Sequence, residues 1–111
     1  TISCMESFTV SDAAENVSDD EESIEKLRTD AVSLEIMTFE EGDEDPMHAH
    51  AEDEIYHVDS GSAQLNIEGD TYDVSEGDVI HIEPGTDHQF LDFEDKLVMT
   101  VLYAPAKGSA E

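Results

Sequence analysis

The chain has 111 residues, of which 30 are acidic and 4 are basic, giving a formal net charge of -26 and a pI near 4.1. This length holds one domain with a single modest core, and the 38% of hydrophobic residues is enough to fill it. So strong a negative charge repels a nucleic-acid backbone and an anionic bilayer, which excludes both as partners.

The acidic residues are spread along the chain, from Glu6 to Glu111, among regularly spaced apolar residues. A disordered acidic tail would lack this apolar spacing, so we expect a folded domain with an anionic surface. Molar salt, with a Debye length of roughly 3 Å, would remove most of the self-repulsion of such a surface. The charge therefore predicts a halophilic host.

A single cysteine, Cys4, excludes an intramolecular disulfide. No apolar stretch approaches the ~20 residues that a membrane helix needs, and no charged-then-apolar signal segment precedes the domain. We therefore expect a cytoplasmic protein whose partner is a small molecule rather than a membrane or a nucleic acid.

The N-terminal extension, residues 1–30, is polar and acidic. Residues 18–21 resemble a capping box ahead of Ile24 and Leu27, which is the pattern of a helix start. A short helix is therefore expected in this extension.

The domain itself is placed at residues 31–105 and begins with a strand at 32–39, where apolar and polar residues alternate. Turns that contain Gly, Asp and Pro separate the segments that follow. Further short strands are expected at residues 54–58, 63–67, 71–74, 79–82, 88–93 and 97–103. This pattern predicts an all-β jelly roll or small barrel, followed by a frayed tail at 106–111.

Three histidines and one glutamate have a spacing that suits two antiparallel strands closing around one metal ion. His48 and His50 are two residues apart, so in a strand both imidazoles leave the same face. Glu54 follows after an acidic bend at 51–53, which lets its carboxylate return over the same ion. His88 has to arrive from a distant strand.

Residues 42–61 resemble the first signature of the cupin superfamily at every fixed position, and residues 77–88 resemble the second signature. Two positions depart from the second pattern: Glu83 stands in place of a proline, and Asp92 in place of an asparagine. Neither of these is a metal ligand in the pattern. The fixed positions that match are Gly42, His48, His50, Glu54, Gly61, Gly77, Pro84, Gly85 and His88.

The resemblance covers about residues 31–105 and implies a single-domain cupin jelly-roll barrel with one divalent transition metal ion per chain. It implies His48, His50, Glu54 and His88 as the ligands. Three imidazoles and a carboxylate suit Fe, Mn, Ni, Cu or Zn without choosing among them. Four protein ligands leave open positions, as in a catalytic site. The alternative is that some of these histidines are surface residues of a cupin without metal.

Three further residues are candidates for the wall of the site. Tyr56 shares strand parity with Glu54, so its ring is expected either to present a hydroxyl to the substrate or to fill the core. Phe90 shares parity with His88 and is expected to keep the pocket apolar. His81 is expected to be either a core histidine or an acid/base group beside the ligands.

Cupins host many chemistries, so the resemblance leaves three functions open. The first is a small metal-dependent oxidoreductase, similar to single-domain cupin dioxygenases, with Glu54 as a proton acceptor. The second is a non-catalytic ligand-binding or metal-binding sensor. The third is a metal-dependent isomerase or lyase.

The four basic residues indicate the kind of substrate. Lys26 and Arg28 precede the predicted barrel, Lys96 lies in a late turn and Lys107 in the tail, so no arginine fork is expected inside the pocket. This disfavours phosphorylated substrates and dicarboxylates, and leaves neutral or directly chelating molecules. The resemblance also implies a homodimer.

Overall fold

The structure, a computed structural model, describes residues 5–18 and 22–110 and consists mainly of antiparallel strands. The sheet order is β1-β2-β6-β3-β4, and β5 pairs with β3, which confirms the predicted all-β class. No helix among these residues is long and apolar enough to cross a membrane. The elements are α1 (Val10–Glu15), β1 (Ser23–Arg28), β2 (Ser33–Phe39), β3 (Asp53–Ile67), β4 (Asp70–Ser75), β5 (Val79–Ile82) and β6 (His88–Ala104).

Two long strands, β3 and β6, pair with each other and form the centre of the barrel. The sequence predicts two shorter strands in each of these regions. In the structure, each predicted pair of strands is one continuous strand. The register between β3 and β6 shifts at several residues, so the chain bends there without leaving the sheet. Gly61 provides the bend in β3 with a φ of 82°, and Asp92 and Asp95 provide those in β6 with φ of 54° and 56°.

The strand β2 is buried on both faces. Its odd-numbered residues face the barrel interior, where Met37 and Phe39 join the main core. Its even-numbered residue Ile36 packs on the other face, in a second cluster with alanines of α1. Because Glu35 is also an odd-numbered residue, its side chain faces the interior, and only 6% of its surface is exposed.

The N-terminal extension contains one short helix among the described residues, but α1 lies earlier in the chain than expected. Ile24 and Leu27 lie in β1, which pairs with β2. The edge of β2 offers unpaired backbone groups, and pairing with them outweighs the local helical spacing. Of the expected capping box, residues 19–21 lie outside the described residues. The division of the chain at residue 30 stays a prediction.

The segment directly after β6 is docked rather than frayed. The N–H groups of Gly108 and Ala110 donate to Glu52 Oε2 at 3.1 and 3.2 Å. The N–H of Lys107 donates to Ser33 Oγ at 2.9 Å. The expectation of a frayed tail is therefore wrong for these residues, because buried polar side chains accept their backbone N–H groups.

Candidate metal centre

The candidate ligands His48 and His88 are joined through their backbones. The N–H of His48 donates to the carbonyl of His88 at 3.0 Å, and the N–H of His88 donates to the carbonyl of His48 at 2.9 Å. This isolated bridge lays the loop before β3 against the start of β6. It leaves the two imidazole rings with centroids 4.3 Å apart.

Glu54, the second residue of β3, completes a group of three potential ligands. One donor atom from each of His48, Glu54 and His88 lies within 4.8 Å of the other two. Glu54 Oε2 lies 3.1 Å from His88 Nε2, and both side chains are fully buried. His50 borders this group, with Nε2 3.4 Å from Glu54 Oε1. The structure thus brings together the four residues that the sequence singles out.

Backbone carbonyls pair with the Nδ1 atom of two of the histidine rings. His48 Nδ1 lies 2.7 Å from the carbonyl of Pro46, and His88 Nδ1 lies 2.9 Å from the carbonyl of Thr86. A carbonyl only accepts, so in the neutral rings Nδ1 carries the proton and Nε2 keeps a lone pair. Metal-binding histidines are commonly oriented in this way.

Glu54 Oε2 has no hydrogen-bond partner among the described residues, although it is buried. The nearby His88 Nε2, at 3.1 Å, is a second acceptor when the ring is neutral and a donor to this oxygen when the ring is protonated. A buried acceptor without a partner is costly, so the two atoms need either a proton on His88 or a cation that they share. The donor set of imidazoles and a carboxylate therefore fits a divalent transition metal ion.

Tyr56 and Phe90 form the inner wall of this group. Each is 1% exposed, and their rings meet edge to face with centroids 5.0 Å apart. The hydroxyl of Tyr56 donates to Glu54 Oε1 at 3.3 Å and lies 3.2 Å from His88 Nε2. The ring of Tyr56 therefore fills the core while its hydroxyl reaches the candidate ligands, and a contact of this hydroxyl with a substrate stays a prediction.

Burial and neighbouring charges set the protonation of the group. Burial lowers the pKa of His50 below its ordinary value. Burial also lowers the pKa of His88, but the contacts of this ring with the Glu54 carboxylate and the Thr86 carbonyl have the larger effect. The pKa of His88 is therefore raised. Burial, followed by the charge of Glu54, raises the pKa of Tyr56 far above its usual range, so this hydroxyl stays protonated at neutral pH.

A buried acid, Asp45, holds the ligand-bearing loop and is missed by the sequence reasoning. Its Oδ2 accepts the backbone N–H of Phe90 at 2.9 Å, and its carbonyl accepts from Gln89 Nε2 at 3.0 Å. Its Oδ1 lies 3.7 Å from His48 Nδ1, and burial raises the pKa of Asp45. Asp45 stands in an acidic run at 43–45, so no sequence signal separates it from its exposed neighbours.

A second missed pair, Glu35 and Tyr103, lies on the interior face next to the candidate ligands. The Tyr103 hydroxyl donates to Glu35 Oε1 at 3.0 Å, and its ring lies 5.3 Å from that of His50. Burial, followed by the charge of Glu35, raises the pKa of Tyr103. The shared strand parity of Glu35 and Phe39 is the sequence signal that points to this placement.

His81 lies away from the candidate metal centre. Its side chain is 51% exposed, and its Nε2 lies 2.7 Å from Asp53 Oδ1 at the surface. In the strand pairing His81 stands opposite Ile55, another exposed residue, whereas the next residue, Ile82, is buried. The expectation of a core or acid/base role is thus corrected, because strand parity turns this side chain outward.

Comparison with known proteins agrees with this fold. Residues 35–103 match the family described as "Cupin domain". This segment is more than half of the chain and contains all four candidate ligands. The chain belongs to the cupin family.

Three similar proteins illustrate the likeness. A protein of Streptomyces coelicolor, described as uncharacterized, is 28% identical over 95 residues, which cover 86% of this chain and 90% of the relative. A double-stranded β-helix protein of Klebsiella pneumoniae matches with a TM-score of 0.76 and 22% identity, covering 99% of this chain and 95% of that one. An RmlC-like cupin of Shewanella frigidimarina matches with a TM-score of 0.71 and 20% identity, covering 78% and 77%. At these identities the two structures show a common fold alone.

Proposed function

We propose that the protein is a metal-dependent enzyme acting on a neutral or metal-chelating small molecule, with one divalent transition metal ion per chain. The proposed ligands are His48, His50, Glu54 and His88. The observation that carries the proposal is the group of donor atoms from three of these residues within 4.8 Å of one another. The side chains of His48 and His50 are 28% and 20% exposed, which leaves the group accessible from solvent, as a catalytic site requires.

The side chains around this group favour proton transfer. When bound, the metal ion would act as a Lewis acid that polarises an oxygen of the substrate. Tyr56 can donate a hydrogen bond to that oxygen, because its hydroxyl stays protonated and points at the candidate ligands. Glu54 is the candidate proton acceptor. These roles are those of an isomerase or a lyase, which we propose as the reaction class.

A metal-dependent dioxygenase is the second candidate. The observation that favours it is the apolar inner wall, where Phe90 packs against Tyr56 and keeps water from the buried side of the ligands. In this case the electrons would come from the substrate.

Metal content is the first test. Protein stripped with a chelator and reloaded with Zn²⁺ or Mn²⁺ should hold one ion per chain by elemental analysis. The variant His50→Ala should bind the ion about 10-fold to 100-fold more weakly or not at all. His57→Ala, which removes an exposed histidine of β3, is the matched control and should bind normally. Equal metal content in wild type and His50→Ala would contradict the proposed site.

Turnover with and without dioxygen separates the reaction classes. The metal-loaded protein is incubated with hydroxyketones, phenols and diketones. Product formed anaerobically supports the isomerase or lyase, oxygen consumption supports the dioxygenase, and tight binding without product supports a sensor. If Tyr56 donates a hydrogen bond to the substrate oxygen, Tyr56→Phe should lower anaerobic turnover about 10²-fold or more while metal content stays unchanged.

A further inference from the structure

Glu52 joins the turn between two candidate ligands to the segment after β6. It lies two residues from His50 and two from Glu54, and only 1% of its surface is exposed. Its Oε2 accepts the backbone N–H groups of Gly108 and Ala110 at 3.1 and 3.2 Å. The contacts of this one carboxylate therefore connect the segment after β6 with the backbone that carries both ligands.

The docked segment, residues 105–110, is held from its other side by β1 and β2. Ala106 is 1% exposed, and the N–H of Lys107 donates to Ser33 Oγ at 2.9 Å. The carbonyl of Lys107 accepts from Arg28 Nη2, also at 2.9 Å. The segment thus extends from the first two strands to the turn that carries the ligands, and its N–H groups reach the buried carboxylate only while it is docked.

The buried carboxylate of Glu52 depends on the docked segment for its hydrogen bonds. Its Oε1 has no partner among the described residues, and its Oε2 accepts the two N–H groups of the segment. A buried carboxylate without donors is costly. On release of the segment, the turn would therefore have to move to bring Glu52 into water, and this movement would shift His50 and Glu54.

We infer that docking of the segment and binding of the metal ion stabilise each other, with Glu52 as the positioning residue that couples them. The docked segment fixes the turn in the arrangement that brings His50 Nε2 to 3.4 Å from Glu54 Oε1. A metal ion that requires this arrangement has to favour the docked segment by the same factor, because coupling between two equilibria is reciprocal. The coupling rests on the proposed metal site, whereas the docked position of the segment does not.

Amide hydrogen exchange of the wild-type chain is the first test. Exchange is measured with and without saturating Zn²⁺, in molar NaCl, which screens weak binding of the ion to the acidic surface. Zn²⁺ should slow exchange of the Gly108 and Ala110 amides about 10-fold, since release of the segment then also weakens the bound ion. The Asn16 amide, which bonds to Ala13 at the end of α1, lies on another face of the sheet and should exchange at the same rate with and without the ion.

Three variants are then compared for their Zn²⁺ affinity by calorimetric titration. Glu52→Ala removes the acceptor of both N–H groups and should bind Zn²⁺ about 10-fold more weakly, as the loss of a group that positions a ligand commonly does. Glu52→Gln keeps a side-chain oxygen that can accept them, so it should bind within about threefold of the wild type. Asp53→Ala is the matched control, because it removes the same charge from the neighbouring position, where the side chain is 47% exposed. Its affinity should also stay within about threefold of the wild type.

The coupling is rejected if Zn²⁺ binds to the wild type but leaves the exchange of Gly108 and Ala110 unchanged, or slows that of Asn16 equally. It is also rejected if Glu52→Ala binds Zn²⁺ as tightly as Asp53→Ala, or if Glu52→Gln binds as weakly as Glu52→Ala, since the effect would then be one of charge. Should Glu52→Ala fail to fold, as seen by circular dichroism, the exchange of the wild type decides the result. A wild type that binds no Zn²⁺ would reject the proposed function and the coupling with it, whereas Zn²⁺ binding without these effects would reject the coupling alone.

Discussion

Single residues outside the candidate ligand set determine where the ligands stand. The Pro46 and Thr86 carbonyls orient the rings of His48 and His88. Asp45 holds the loop itself, because its carboxylate accepts the N–H of Phe90 inside β6. These contacts hold His48 in place although it lies on a loop before β3.

Replacing Asp45 with alanine should weaken metal binding about 10-fold to 100-fold, as the loss of a group that orients a ligand commonly does. It should also lower the free energy of unfolding by about 1–3 kcal/mol, because the N–H of Phe90 loses its acceptor in a buried position. Calorimetric metal titration and chemical denaturation measure the two effects.

Two further variants test whether these losses come from the carboxylate of Asp45. Asp45→Asn keeps an oxygen that can accept the N–H of Phe90, so it should retain most of the stability. Glu44→Ala, at the exposed neighbouring position, should leave both quantities unchanged. Metal binding by Asp45→Ala as tight as that of Glu44→Ala would show that the loop does not depend on Asp45.

At the level of elements, the pairing of β3 with β6 depends on a close approach of two backbones at Gly61. A Cβ atom there would lie 2.6 Å from the Lys96 carbonyl oxygen and 2.9 Å from Leu97 Cα, and the φ of Gly61 is 82°. Both the space and the conformation therefore require glycine.

Gly61→Ala should lower the free energy of unfolding by about 2–5 kcal/mol, the sum of the left-handed conformation and the overpacking. Gly69→Ala is the matched control, because Gly69 has a φ of 94° but nothing within 4 Å of the added atom. Gly69→Ala should lower the free energy of unfolding by only about 1–2 kcal/mol. Equal losses in urea denaturation of the two variants would show that the approach to Lys96 is unimportant.

The sequence predicts those elements that carry their own signal. Alternation and turn residues locate the strands from β2 to β6, and the histidine and glutamate spacing brings the candidate ligands together. The strand β1 is not predicted, because it forms by pairing with the edge of β2, and the residues of β1 alone do not indicate that pairing. Asp45 and Glu35 are missed for a related reason, since their burial depends on the strand register and on a loop contact across the barrel.

At the level of the whole molecule, the net charge of -26 opposes folding through self-repulsion. We expect the melting temperature to fall by about 10 °C, or about 2 kcal/mol, when molar NaCl is replaced by millimolar NaCl. Thermal unfolding followed by circular dichroism measures this change. Sucrose, which favours compact states without screening charge, should restore little of it. A melting temperature that is independent of salt would contradict the prediction of salt adaptation.

The central position of β6 has a consequence for biosynthesis. Because β6 pairs with both β2 and β3, a nascent chain cannot close the barrel until this last strand has left the ribosome. His48 meets His88 only at that stage, so until then the growing polypeptide carries His48, His50 and Glu54 without the fourth candidate ligand. The proposed metal site is therefore complete only after β6 has paired.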